Sequence, residues 1–241
     1  MKSLRLLSAL PLALLVGCIV SAPPGDGRIK VLVVTGGHEF EERPFFAMFE
    51  DDPGIAFIHA SHSRTNASAW ERSDVSSYDV VVLYDMSVRI SDGQKAAFLA
   101  LFDRGMGLVV LHHALGDFQN WPQYAGIIGM AAPEPGAPPP DFGFEHDVDI
   151  PIVIVAADHP ITAGLRDFTL HDEIYWGFHA GPDVTPLVTT THPKSSKPLM
   201  WCRTEGRSRV VFLQPGHDHS AFENPNYRKL VAQSIRWTAK R

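Results

Sequence analysis

The sequence predicts an α/β fold: a doubly wound core on a mostly parallel sheet, with an antiparallel extension. Three observations carry this. First, Ile29-Lys30-Val31-Leu32-Val33-Val34-Thr35 is an almost continuous apolar, β-branched run closed by Gly36-Gly37, and the pattern recurs at 79–84 and 107–111. Such runs suit strands buried on both faces, as in parallel sheets. Second, Ser91-Asp92-Gly93-Gln94 between the last two runs is a capping-box pattern, followed by Ala97, Phe98, Leu101 and Phe102 at helical spacing and by Gly105, which ends the helix. Strand, helix, strand in that order is a right-handed βαβ unit. Third, the short apolar runs 186–191, 199–203 and 209–213 follow one another closely and read as the antiparallel extension.

In chain order, the first element is a leader. Met1-Lys2-Ser3-Leu4-Arg5 is followed by an apolar run from Leu6 to Val16 and by Gly17-Cys18. A basic start, a short apolar core and a small-residue cleavage site make an export signal, too short to span a bilayer comfortably. Residues 1–17 are expected as a signal peptide, 18–27 as a tether and 28–241 as one domain. The Pro-rich stretch 131–140 reads as a surface loop. A strand is expected at 151–155, a turn at His159-Pro160, and a terminal amphipathic helix at 227–238 with Leu230, Ile235 and Trp237 toward the core.

Composition narrows the function classes. The 241 residues hold enough apolar material (45%) for one substantial core, and 21 basic against 27 acidic residues exclude nucleic-acid binding by bulk charge. Two cysteines, one of them in the leader, exclude a disulfide scaffold and a cysteine-rich zinc protein. Twelve histidines are a high count. Three histidine-bearing segments directly follow strand-like runs: Gly36-Gly37-His38, His112-His113 and Gly216-His217-Asp218-His219. In an open parallel sheet such strand-end loops share one edge, where ligands bind.

His38, His112, Glu173 and His217 are therefore the candidate catalytic residues, expected to converge on one pocket. Of the adjacent pair, one ring is expected in the site, His112 rather than His113. His113, Trp121, Tyr124 and Tyr175 are candidate substrate contacts, the aromatic rings because sugars stack on them. Imidazoles beside a carboxylate suit a divalent metal, zinc by donor type, with His38, His112, His217 and His219 as candidate ligands; the same groups could serve as metal-free acid and base. No G-x-S-x-G elbow and no G-x-G-x-x-G fingerprint occurs, which excludes an ordinary α/β hydrolase and a fingerprinted dinucleotide site.

Several segments together resemble one family. Val33-Val34-Thr35-Gly36-Gly37-His38, His112-His113-Ala114, Trp121-Pro122-Gln123-Tyr124, His159-Pro160-Ile161-Thr162, Asp172-Glu173-Ile174-Tyr175 and Gly216-His217 are similar, in order, to the ThuA-like or trehalose-utilisation family. The resemblance runs from about Arg28 to Thr238. It implies a class I glutamine amidotransferase-like fold, a flavodoxin-like sandwich, and a link to trehalose and related glycosides that pass through 3-keto intermediates. Where an amidotransferase carries its elbow cysteine, this chain has His112, and Cys202 lies far away in a strand-like run. Covalent glutaminase chemistry is therefore not expected. Leu15-Val16-Gly17-Cys18 likewise resembles a bacterial lipobox, which implies lipidation at Cys18 and an exported protein anchored to the envelope; a plain secretory leader would leave it periplasmic or secreted.

The functional expectation is an extracytoplasmic enzyme acting on a small carbohydrate, by acid–base or metal-assisted chemistry on a sugar carbonyl. Isomerisation, elimination and hydrolysis all start from the same proton abstraction. The alternatives are a non-catalytic sugar-binding or regulatory lipoprotein, and a metal-dependent hydrolase of a small ester.

Overall fold

The computed structural model describes residues 27–132 and 141–241. The expected signal peptide, Cys18, nearly all of the expected tether and most of the Pro-rich stretch 131–140 lie outside the described residues. The elements run β1 (Ile29–Gly36), α1 (Glu42–Glu50), β2 (Ile55–Ser61), β3 (Val80–Asp85), α2 (Asp92–Asp103), β4 (Gly107–Leu111), α3 (Gln123–Ile127), β5 (Gly143–Ile154), β6 (Phe168–Trp176), β7 (Thr185–Thr190), β8 (Met200–Glu205), β9 (Ser208–Leu213), α4 (His219–Phe222) and α5 (Pro225–Thr238). Among the described residues all nine strands form one sheet, ordered β2-β1-β3-β4-β9-β8-β7-β5-β6. From β2 to β9 the pairing is parallel, and from β9 to β6 it is antiparallel.

The apolar runs become inner strands because both of their faces are covered. Val31 and Val33 of β1 pack with Phe45 and Phe49 of α1 and Leu230 and Ile235 of α5, whereas Leu32 and Val34 pack with Trp70, Phe98 and Leu101 on the other side. Alternate residues of one strand thus feed two cores, as the pleat requires. Helix α2 starts on the capping box: Gln94 N–H donates to Ser91 Oγ at 3.2 Å and Ser91 N–H to Gln94 Oε1 at 3.1 Å. Asn224 Oδ1 caps α5 by accepting from Asn226 and Tyr227 N–H, with Pro225 in the first turn. Leu230 and Ile235 are buried, and Trp237 packs against the same core.

One stretch differs from the sequence-based expectation. The strand expected at 151–155 is the end of a longer β5, whose register shifts between Glu145 and Val148 at a bulge with Asp147 at φ 57°. Asp172-Glu173-Ile174-Tyr175 lies inside β6, because the polar side chains at Asp172 and Glu173 find buried partners there. Among the described residues, no helix is long and apolar enough to cross a membrane.

The register aligns the strand ends. Gly36 of β1 lies beside Asp85 of β3, and Leu111 of β4 beside Leu213 of β9. The segments that follow β1, β3, β4 and β9 therefore leave the sheet along one edge.

Candidate active site

Each strand-end segment is shaped locally. Gly37 has φ +76°, and a Cβ there would stand 2.5 Å from the Met86 carbonyl oxygen, so only glycine lets this turn pack onto the segment after β3. His112 has φ 53° without being glycine, a conformation costing about 1–2 kcal/mol. It turns the chain from β4 straight into a 3₁₀ turn, His112–Gly116. The segment after β9 is held by Asp172: Gly216 N–H donates to Oδ2 at 2.7 Å, and His217 and Glu173 N–H donate to Oδ1 at 2.9 and 2.7 Å. Tyr84 O–H donates to the Gly216 carbonyl at 2.9 Å, tying β3 to the same loop.

Glu173 is the centre of the polar cluster. Its Oε2 lies 2.9 Å from His112 Nε2, 2.9 Å from the Tyr175 hydroxyl and 3.2 Å from His217 Nδ1, and its Oε1 lies 3.5 Å from His146 Nε2. The Tyr175 hydroxyl is also 2.9 Å from His112 Nε2. Nδ1 of His112 donates to the Gln214 carbonyl at 2.9 Å. Burial opposes charge on Glu173, but the adjoining imidazoles of His112 and His217 outweigh it and hold the carboxyl well below the usual range. The hydrogen bond to Glu173 raises the imidazole pKa of His217 against partial burial, and burial beside Glu173 raises the Tyr175 phenol. His112, Glu173 and His217 present one donor atom each within 4.8 Å of one another, a set able to hold a metal ion.

Beside this cluster is a cavity of about 460 Å³. Its walls include His38, His113, His146, Glu173 and His217, and an aromatic side made by Phe142, Phe144, Tyr175 and Trp176. His113 donates from Nδ1 to the Asp85 carbonyl at 3.0 Å, which leaves Nε2 with the lone pair, buried and without a hydrogen-bond partner among the described residues. Burial, then the neighbouring His112 and His38, keep its pKa well below the ordinary value, so the ring is neutral. Asp85 is itself anchored: its carboxylate meets His62 Nδ1 at 2.6 Å in full burial, and burial next to Asp85 pushes the Asp117 carboxyl well up. The cavity therefore offers a neutral imidazole, a carboxylate–imidazole pair and an apolar aromatic wall.

The structure brings together His112, Glu173 and His217, with Tyr175 bonded to the first two. His38 lies at the cavity, its ring 4.8 Å from that of His113 and its Nδ1 donating to the Glu39 carbonyl. Of the adjacent pair, His112 bonds into the Glu173 cluster from behind Glu173 and Tyr175, fully buried and with its Nδ1 on the Gln214 carbonyl, while His113 lines the cavity, so both rings lie at the site. His219 is not among the clustered donors; it is exposed and paired with Glu41 at 2.9 Å. Trp121 and Tyr124 are not at the cavity either. They pack in the core with Phe98 and Phe118, and the Tyr124 hydroxyl donates to the Ala114 carbonyl. Cys202 is a buried free thiol in β8, away from the His112 elbow.

Sequence reasoning passed over His146, Phe142 and Phe144. Their i, i+2, i+4 spacing is the signal that would have found them, since it puts three side chains on one face of a strand.

A family model described as ThuA, trehalose utilisation, matches residues 30–238. Among solved structures, a ThuA-like protein from Parabacteroides merdae is 19% identical with a TM-score of 0.70, over 88% of this chain and 90% of that one. A ThuA-like protein from Bacteroides uniformis is 18% identical with a TM-score of 0.62, over 91% and 94%. A β-galactosidase from Bacillus circulans sp. alkalophilus, 12% identical with a TM-score of 0.56, is covered over only 31% of its length, against 87% of this chain. At such identities the structures establish a shared fold. No curated protein matches the sequence.

Proposed function

The chain belongs to the ThuA, or trehalose-utilisation, family, and from that premise we propose that it is an enzyme of sugar catabolism that moves a proton beside the carbonyl of an oxidised sugar, a 3-keto-glycoside of the trehalose type. One observation carries the reading: His113, in the wall of a cavity whose other sides are an aromatic surface and the Glu173–His217 pair, keeps a buried Nε2 that has no hydrogen-bond partner among the described residues. A ketone acidifies the neighbouring C–H, and a fixed lone pair can take that proton. The His217 side faces the oxygen that gains negative charge. Phe142, Phe144 and Trp176 receive the apolar face of the sugar ring. Return of the proton to the adjacent carbon gives isomerisation, and expulsion of the aglycone gives elimination.

The parallel strands, numbered among themselves, follow the order 2-1-3-4-5, which supports a flavodoxin-like, doubly wound description of that half. With histidine at the elbow and a buried Cys202 elsewhere, glutaminase chemistry has no nucleophile. The leader and Leu15-Val16-Gly17-Cys18 support export and a lipid anchor.

The test is to incubate the mature chain in D2O with 3-keto-trehalose and 3-keto-glucosides and follow exchange at the carbon beside the ketone. Exchange and turnover are expected, with His113→Gln slowing both by about 10²–10⁴-fold while remaining folded. Binding of a keto-sugar with no exchange would make the protein a sugar binder rather than an enzyme, and full activity in His113→Gln would remove the assigned base.

A further inference from the structure

The hydrogen-bonding arithmetic around Glu173 does not close with the protons that its neighbours fix. The Gln214 carbonyl can only accept, so the proton on His112 is at Nδ1 and Nε2 is left as a lone pair. Nε2, the Tyr175 hydroxyl and Glu173 Oε2 form a triangle with every side 2.9 Å. The hydroxyl has a single proton to give, to one corner or the other. In the neutral tautomer, His112 Nε2 and Glu173 Oε2 face each other at 2.9 Å as two acceptors in a place closed to bulk water, an arrangement that costs energy unless a positive charge joins them. Either a second proton on His112 or a cation supplies it.

We propose that His112 Nε2, Glu173 Oε2 and His217 Nδ1 bind one divalent transition-metal ion of the zinc type. Ligand atoms about 2.0–2.1 Å from a common tetrahedral ion lie about 3.3 Å apart. The Nε2–Oε2 and Nδ1–Oε2 separations are 2.9 and 3.2 Å, and all three atoms fall within 4.8 Å. Two imidazoles and a carboxylate are the donor set of zinc sites that keep an open coordination position. The supports for such a set are also present. The Gln214 carbonyl fixes the His112 tautomer, and Asp172 holds the backbone N–H groups of both Glu173 and His217. His217 is the most exposed of the three, with 30% of its side chain accessible, so its ring is free to close the last edge. Glu173 and His217 line the cavity, which gives the open position access to a ligand. Resting on the keto-sugar reading above, the ion would polarise the ketone oxygen while His113 takes the proton.

The experiment is metal binding by the whole mature chain, freed of metal by dialysis against a chelator and titrated with Zn²⁺ alone or Co²⁺ alone. One equivalent is expected, with a rise in melting temperature and visible cobalt absorption of a low-coordinate N/O site. Glu173→Gln and His217→Ala should each weaken binding by at least about 100-fold, above the usual loss for an outer-shell partner. His219→Ala, on the exposed Glu41 pair, should bind as the wild type does. If Glu173→Gln proves unfolded by circular dichroism, His217→Ala at the surface decides alone. Absence of stoichiometric binding, or unweakened binding in His217→Ala, overturns the proposal and leaves a second proton on His112 as the charge. Metal binding without turnover of any keto-sugar would sink the catalytic reading and spare the site; turnover by a protein that binds no metal would do the opposite.

Discussion

Asp172→Asn changes one atom and tests the scaffold beneath the site. Asp172 is 3% exposed, and its two oxygens accept three backbone N–H bonds, from Glu173, Gly216 and His217. Burial pushes this carboxyl up, whereas the three donors favour the carboxylate. In the asparagine variant the remaining oxygen can serve Glu173 and His217, but the new NH2 group then faces Gly216 N–H, donor against donor. Hydrogen bonds to a charged group contribute about 1.5–3 kcal/mol each, so the loss should be about 2 kcal/mol. Asp172→Ala strands all three donors and should cost about 4 kcal/mol. For a domain of this size each kcal/mol lowers the melting temperature by about 2–4 °C, which puts the asparagine variant about 4–8 °C below wild type and the alanine variant about 8–16 °C below. Thermal melts followed by circular dichroism at neutral pH read both values. An asparagine variant that melts with wild type would mean that the group is a protonated acid, for which asparagine is a near-isostere, and the carboxylate account would be wrong.

Three other outcomes follow from particular residues. Burial pushes the Cys202 thiol up to about 11, so at pH 8 about one molecule in a thousand carries the thiolate, and iodoacetamide labelling of the folded protein should run at least about 100-fold slower than for a free cysteine peptide; Cys202→Ala should retain activity. Phe144 is 56% exposed on the cavity rim, and Phe144→Ala should leave the melting temperature within about 1 °C while raising KM up to about tenfold with kcat little changed, as loss of a stacking surface predicts. Cys18→Ser should release the protein from the membrane fraction and leave an unprocessed precursor; wild-type protein found wholly soluble after export would argue against the lipid anchor.

The amino-acid order by itself made much of the framework legible. Residues 29–35, 79–84 and 107–111 are apolar on both faces and can only be covered on both, so the inner parallel strands were readable without any long-range information. The Ser91–Gln94 box and Gly105 are local signals for the two ends of α2, and both have the geometry that their residue types favour. Because parallel strands share a direction, the histidines after β1, β4 and β9 could be assigned to one edge from sequence alone. What happens at that edge depended on contacts between residues far apart in the chain. The φ of 53° at His112, stabilised by Gln214 some hundred residues away, decides that His113 lines the cavity and His112 lies behind it. The bulge after Glu145 brings His146 against Glu173, and the two N–H groups at Gly216 and His217 fix Asp172 inside β6. Trp121 and Tyr124 illustrate the converse: an aromatic ring has the same chemistry in a core as on a sugar platform, and only the covering by Phe98 and Phe118 tells them apart. Strand period and caps are short-range properties of the chain, whereas the direction in which a side chain points at a strand end is set by tertiary hydrogen bonds that no local pattern encodes.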